Sequence, residues 1–426
     1  MQNSLQAIGT SVAKRDNIAK LTGKSQYIAD FQMDGMIYGK ILRSTVPHGK
    51  IRGINTEKAK ALAGVVAVLT HEDVPGSNRY GIVFKDEPVF ADDKVRQIGD
   101  PIAVVGAQTA EIAEAALALI EVDYEILPAV FDVHEALKED APQVHDKPNL
   151  MMKRRLQKGN VETAFETCDL IVENTYRTQV VDHCYIEPEG AVAYYENQTL
   201  VVQACTQNLH TNRKEIAENL GLPQNHVRMV QAVTGGGFGG KLDMHAHIPA
   251  ALLTYHTKRP AKIVYSREES FAATSKRHPY EIHYKTGALS DGRVKAVCVT
   301  IYMDKGAYTS YGPGVATRAA VHVTGPYEVE NVDVTVYAVY TNNPRCGAMR
   351  GFGVPQVAFA HESQMDAIGK KLGLSPIAIR LKNALQVGSY TATMQQLEES
   401  VGISETLEKA YEKALTVMEA GKEALE

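Results

Sequence analysis

Thr234-Gly235-Gly236-Gly237-Phe238-Gly239-Gly240-Lys241 sets five glycines in six positions around a single large residue. So little side-chain cover lets peptide N–H groups touch a bound group directly, because glycine tolerates unusual dihedrals and close backbone approach. Successive amides of this kind make a concavity suited to an anionic or oxygen-rich occupant, with Phe238 fixed beside it. Upstream, residues 200–204 and 226–233 are β-prone, and 211–220 read as a helix stopped at Gly221 with Pro223 beyond. Strand, helix, strand and glycine loop therefore follow one another, which puts the loop at the end of a strand.

Two familiar glycine patterns overlap the run, and neither is complete. Gly235-x-Gly237-x-x-Gly240 satisfies the dinucleotide spacing, but residues 255–260 lack the acidic partner expected about 20 positions on. Gly235-x-x-x-x-Gly240-Lys241 approaches a phosphate loop, yet the next residue is Leu242, with no hydroxyl for magnesium. Glycines serving close packing alone are the remaining structural alternative.

The 426 residues suggest about two or three domains. Hydrophobic content of 44% and charged content of 22% are those of an ordinary globular chain, and a formal charge of -5 gives no reason to expect nucleic acid. No apolar stretch approaches the ~20 residues of a membrane span, and Met1-Gln2-Asn3-Ser4 does not open a signal peptide, so a cytoplasmic location without membrane contact is expected. Cys168, Cys184, Cys205, Cys298 and Cys346 are widely scattered with no C-x-x-C pair, which fits reduced thiols rather than a zinc or iron–sulfur site.

In the first third, Val104 and Val105 predict a strand, residues 110–119 a helix, and 120–126 a half-buried strand ended by Pro128, together one tight α/β unit. Residues 132–158 turn polar, with Lys153-Arg154-Arg155 exposed, and read as a linker. Residues 282–304 read as a hairpin about Ser290-Asp291-Gly292, and 357–372 and 376–385 as helices, the second capped by Ser375. A last helix, capped near Ser404, carries Leu407, Tyr411, Leu415 and Met418 on one face.

Two further segments give the glycine loop its meaning. One is Cys205-Thr206-Gln207-Asn208; the other is Asn343-Pro344-Arg345-Cys346-Gly347-Ala348-Met349-Arg350-Gly351-Phe352-Gly353-Val354-Pro355-Gln356. With Gly99-Asp100-Pro101, Val122-Asp123-Tyr124-Glu125-Ile126-Leu127-Pro128 and Tyr185-Ile186-Glu187-Pro188, they resemble the molybdenum-binding subunit of the xanthine dehydrogenase and aldehyde oxidoreductase family, from about Gly9 to Tyr411. The resemblance implies an α+β fold: an α/β-hammerhead-like domain over 1–135, a linker over 136–158, and the first half of a molybdopterin-binding α+β domain over 159–426. It also implies hydroxylation of an electron-poor carbon with oxygen taken from water.

The implied cofactor is molybdenum on molybdopterin, expected as the cytosine dinucleotide with a sulfido or selenido ligand, with no side chain here ligating the metal. The second half of the site and its glutamate base are expected on a partner, as in a branch where large and medium molybdopterin subunits divide this domain. Iron–sulfur clusters and FAD are expected on further subunits. By the same resemblance, Gln207 donates its amide to the cofactor, and Gly237, Phe238 and Gly239 form the loop whose amide faces an oxo ligand. Arg350 lies beside the pterin, Phe352 stacks on the substrate ring, and Arg318 is the substrate-pocket arginine.

Departures from the family narrow the substrate. Leu242 stands where xanthine dehydrogenases carry a glutamate. Gly351 stands where carbon monoxide dehydrogenases carry a cysteine. Arg318 is usually absent from aldehyde oxidoreductases. An aromatic N-heterocyclic carboxylate such as nicotinate fits all three, with purine or aldehyde hydroxylation as alternatives; a non-catalytic nucleotide- or pterin-binding protein is the reading from another class. His245 and His247, two apart on a predicted helix, face different ways and read as structural. Glu187 either approaches the cofactor or is satisfied by backbone.

Overall fold

Short runs of Val, Ile and Ala build a seven-stranded sheet to which both halves of the chain contribute. The computed structural model describes residues 8–423; Met1-Gln2-Asn3-Ser4 lie outside them. Strand order is Val227–Gln231, Thr199–Ala204, Gly190–Glu196, Ala261–Val264, Ile37–Arg43, Pro101–Ala107 and Val65–Leu69. The seam between the N-terminal third and the rest is the parallel pair Ile37↔Ala261, Tyr38↔Lys262, Gly39↔Ile263. The expected strand, helix and strand are Thr199–Ala204, Leu209–Asn219 and Val227–Gln231; the two strands pair in parallel, and Gly221 follows the helix at φ +63°. The helix His247–Thr257 packs on this sheet through Ile248, Ala251, Leu252 and Leu253, all buried.

A second, five-stranded sheet runs Leu170–Arg177, Tyr280–Ala288, Val294–Asp304, Asn331–Val339 and Leu150–Lys158. The expected hairpin is its centre, turning through Gly292 at φ +94°. The helices Gly312–Val321, Val354–Leu372 and Pro376–Asn383 share its core, the last capped by the Ser375 hydroxyl, which accepts from the Ala378 N–H. Each sheet thus ends in a loop or helix that carries one of the quoted motifs.

Three local expectations are corrected. Leu150–Lys158, read within the linker, is a strand paired with Asn331–Val339: Met152 and Leu156 rest on the core while Lys153, Arg154 and Arg155 face water. Glu121–Ile126 does not share a sheet with Pro101–Ala107. It joins Gly49–Asn55 and Lys94–Val95 in a three-stranded sheet, because Val122 and Tyr124 pack on Ile51, Ile54 and Ile102. The last helix runs Ile403–Glu423, starting beside Ser404 as expected, but its apolar stripe is not buried. Tyr411 (47% exposed), Leu415 (40%) and Met418 (62%) face solvent rather than a core.

Candidate cofactor and substrate site

The glycine loop is closed at both ends by one carboxylate. Glu187 Oε2 accepts from the Gly235 N–H at 2.7 Å and from Lys241 Nζ at 2.9 Å. Lys241 also donates to the Glu187 carbonyl at 2.9 Å, and its ammonium lies 4.7 Å over the Tyr185 ring. Lys241 is wholly buried, so this pairing is what makes its charge tolerable there. Glu187 is accordingly a loop anchor. Between the anchors, the amides of Gly236, Gly237 and Phe238 have no acceptor among the described residues, while Gly240 N–H returns to Gly237 O at 2.8 Å. Phe238, 48% exposed, sits at φ +50°, a region that costs a side-chain-bearing residue energy and that clusters at functional sites.

Gln207 stands at the end of the strand Thr199–Ala204, its own N–H donating to Lys241 O at 2.9 Å. Its Oε1 accepts from the Gly239 N–H at 3.0 Å. That bond decides which way the amide points: Nε2, with two N–H groups, is turned away and has no partner among the described residues. A methyl group on Gly237 would stand 2.5 Å from Oε1, so the glutamine needs glycine beneath it. The third segment meets the loop here as well. Arg350 N–H donates to Phe238 O at 2.9 Å, and a methyl group on Gly239 would lie 2.7 Å from Ala348 O. The Arg350 guanidinium is exposed and has no carboxylate partner among the described residues.

Phe352, like Phe238, is a left-handed aromatic, at φ +53°. Its ring closes on Gly314, where a methyl group would be 2.9 Å away, and meets Tyr311 edge-on at 6.1 Å. The Tyr311 hydroxyl accepts from Asn208 Nδ2 at 3.1 Å, and burial pushes its pKa up to about 12. Arg318 follows Gly314 by one helical turn, so the two share a face of Gly312–Val321. Its guanidinium is exposed and donates to His322 Nε2 at 3.2 Å; burial first and Arg318 second push the imidazole pKa below its ordinary value. No carboxylate meets Arg318 among the described residues.

Gln207, Gly237, Phe238, Gly239 and Arg350 therefore converge, Phe352 borders them, and Arg318 stands on the adjoining helix without bonding to any of them. The amide of Gly239 is committed to Gln207, while those of Gly236, Gly237 and Phe238 have no partner among the described residues. Asn208 and Tyr311 escaped the sequence reading, although Asn208 adjoins Gln207 within a quoted motif. His245 lies before the helix His247–Thr257 rather than on it. Its Nε2 donates to Gly240 O at 3.1 Å and its Nδ1 accepts from Arg345 at 2.9 Å. Burial holds His245 down to about 4 and His247 down to about 3, so both are neutral packing groups.

A donor-rich cradle of this kind defines a class: a binder of an oxygen-bearing anionic cofactor at a strand end. The molybdopterin cofactor-binding domain family matches residues 144–384, and the aldehyde oxidase and xanthine dehydrogenase a/b hammerhead domain matches residues 22–128. Over 419 residues the chain is 51% identical to the nicotinate dehydrogenase large molybdopterin subunit of Eubacterium barkeri, covering 98% of this chain and 99% of that one. It is 35% identical over 406 residues to the xanthine dehydrogenase molybdenum-binding subunit of Escherichia coli O157:H7, covering 92% of this chain and 54% of that one. The solved aldehyde oxidoreductase from Desulfovibrio gigas superposes with a TM-score of 0.92 at 31% identity, over 96% of this chain and 47% of that one. The chain thus spans about half the length of the last two. It belongs to the xanthine dehydrogenase family as a molybdopterin-binding subunit. The residues present suit that group: the amides of Gly236, Gly237 and Phe238, the Gln207 Nε2 and the Arg350 guanidinium are all donors without a partner among the described residues, on segments that meet at the glycine loop.

Proposed function

We propose that this chain is the cofactor- and substrate-binding half of a heteromeric molybdenum hydroxylase whose substrate is an aromatic N-heterocyclic carboxylate, best represented by nicotinate, converted to 6-hydroxynicotinate. The observation that carries the substrate class is the Arg318 guanidinium, exposed and without a carboxylate partner among the described residues, one turn from the glycine on which Phe352 rests. Leu242 beside Lys241 leaves no carboxylate to repel an anion there. The 51% identity to a nicotinate dehydrogenase subunit favours the same choice.

In this reading Phe352 and Tyr311 bound the ring, and Arg318 neutralises the substrate carboxylate, a charge-assisted pairing. Gln207 Nε2 and the Gly237 and Phe238 amides orient the cofactor, preorganised because the Glu187–Lys241 anchor fixes the loop. When bound, the molybdenum–molybdopterin group, in the cytosine dinucleotide form with a sulfido or selenido ligand, supplies a two-electron oxidation. The balance is substrate C–H plus water giving C–OH, two protons and two electrons. A second molybdopterin subunit brings the glutamate base, and iron–sulfur and FAD subunits carry the electrons off, in the cytoplasm. Within the chain, 1–135 is the hammerhead-like domain, 136–158 the connection and 159–426 the molybdopterin half-domain.

The test is the purified native complex, assayed for molybdenum and pterin and then on nicotinate, xanthine and aldehydes. Arg318→Ala should raise the KM for nicotinate by about 10- to 100-fold, the loss of a hydrogen bond to a charged group. An unchanged KM and unchanged turnover for nicotinate in that variant refute the substrate reading. A complex without molybdenum or pterin favours a non-catalytic binding protein.

A further inference from the structure

The turn that opens the Arg318 helix is pinned by three charged residues, two of them from distant parts of the chain. Asp86, from the N-terminal region, accepts from the Thr309 N–H at 3.0 Å, from the Thr309 hydroxyl at 2.5 Å and from the Tyr340 hydroxyl at 3.0 Å. Lys305, wholly buried, donates its ammonium to Thr309 O. Asp243, two residues beyond the glycine-loop lysine, accepts from the Ser310 hydroxyl at 2.8 Å, and both side chains are buried. Among the described residues, Ser310 is the only hydrogen-bond donor to that carboxylate.

Ser310 itself lies at φ +41°, in the left-handed region. A residue with a side chain persists there only where its surroundings over-determine it. Tyr311 and then the helix Gly312–Val321 follow at once, so the strained turn sets where Tyr311 and Arg318 stand. The third motif touches the same point: a methyl group on Gly347 would be 2.6 Å from Ser310 Oγ and 2.7 Å from Asp243 Oδ2. One buried hydrogen bond thus joins the residue just beyond the glycine loop to the turn of the pocket helix, and the arginine segment packs beside it at Gly347.

We propose that the Asp243–Ser310 hydrogen bond ties the position of the cofactor-side glycine loop to that of the helix bearing Arg318, so that Asp243 and Ser310 are positioning residues for the pocket. The kinetic consequence rests on the substrate reading of Arg318 given above; the mechanical coupling does not. Asp243→Asn retains an acceptor for Ser310 and is the conservative variant, whereas Ser310→Ala and Asp243→Ala remove the bond.

The experiment uses the intact complex, wild type and these variants with the Ser310→Ala/Asp243→Ala double. Amide hydrogen exchange is followed in peptides covering residues 235–242 and 309–321. Ser310→Ala should speed exchange about fivefold to tenfold in both peptides, as loss of one hydrogen bond to a buried acceptor predicts. The double variant should be no faster than the faster single, and Asp243→Asn should stay near wild type. With whichever substrate the wild-type complex turns over, Ser310→Ala should raise KM about tenfold at unchanged molybdenum content. If Asp243→Ala does not assemble, Ser310→Ala, the smaller change, decides alone. Faster exchange confined to 309–321, or a double variant whose effects add, overturns the coupling. Coupled exchange alongside an unchanged KM and unchanged turnover for nicotinate in Arg318→Ala would keep this inference and sink only the substrate reading.

Discussion

Gly237→Ala isolates the Gln207 contact from backbone strain, since Gly237 is not among the glycines with positive φ. The added methyl would lie 2.5 Å from Gln207 Oε1 and 2.8 Å from its Cδ, both in the mobile end of a side chain that can swing away. Swinging breaks the 3.0 Å bond from the Gly239 N–H, which costs the loop about 0.5–1.5 kcal/mol and frees the amide to rotate. The larger loss falls on function. A preorganised donor pulled off its target typically costs about 10²–10³ in kcat, or ~3–4 kcal/mol. Turnover per molybdenum should therefore fall by about that factor in Gly237→Ala and in Gln207→Ala. The double variant should be no worse than either, because both remove one interaction. The assay is steady-state kinetics on the assembled complex, normalised to molybdenum. Wild-type turnover in Gly237→Ala, or additive losses in the double variant, would refute this account of the loop.

Gly239→Ala should be harsher. It places a side chain at φ +106° and a methyl group 2.7 Å from the Ala348 carbonyl, so backbone must move, and molybdenum content per complex should drop rather than turnover alone. Stability should fall as pH drops from about 6.5 toward 4. His145 and His245, held down to about 4, and His247, held down to about 3, all by burial, stay neutral when folded but take up protons when unfolded. Each contributes up to about 1.4 kcal/mol lost per pH unit across that window. Urea midpoints at pH 7 and pH 5 read this directly, and an equal or higher midpoint at pH 5 would contradict it. Lys241→Met, which removes the cation bound to Glu187, should loosen the glycine loop, seen as faster exchange in residues 235–242.

Local chemistry written in the chain was enough for much of the fold. The strand–helix–strand ending at Gly235, the hairpin at Gly292 and the Ser375 cap each follow from residues near in sequence. The glycine loop stood out in the sequence because five glycines in six positions offer no side chains to bury, and in the structure a methyl group on any of them would meet a neighbouring atom. Leu150–Lys158 was misread because a strand with Lys153-Arg154-Arg155 on its open face looks polar until Asn331–Val339 is beside it. Glu121–Ile126 was read as one α/β unit with Pro101–Ala107 yet pairs in another sheet, because alternation reports a buried face, not which neighbour covers it.

Periodicity, capping residues and three ordered motifs indicated, from sequence alone, most of the elements and the segments that carry the family resemblance. What the tertiary structure decided was orientation. Gln207 points its Nε2 outward only because Gly239, 32 positions away, takes its oxygen. Likewise, the strained dihedral of Ser310 sits in a turn held by Asp86 and Asp243, which arrive from distant parts of the chain, and by the nearby Lys305. Such bonds join groups whose separation in sequence carries no local signature, so only the packed chain reveals them.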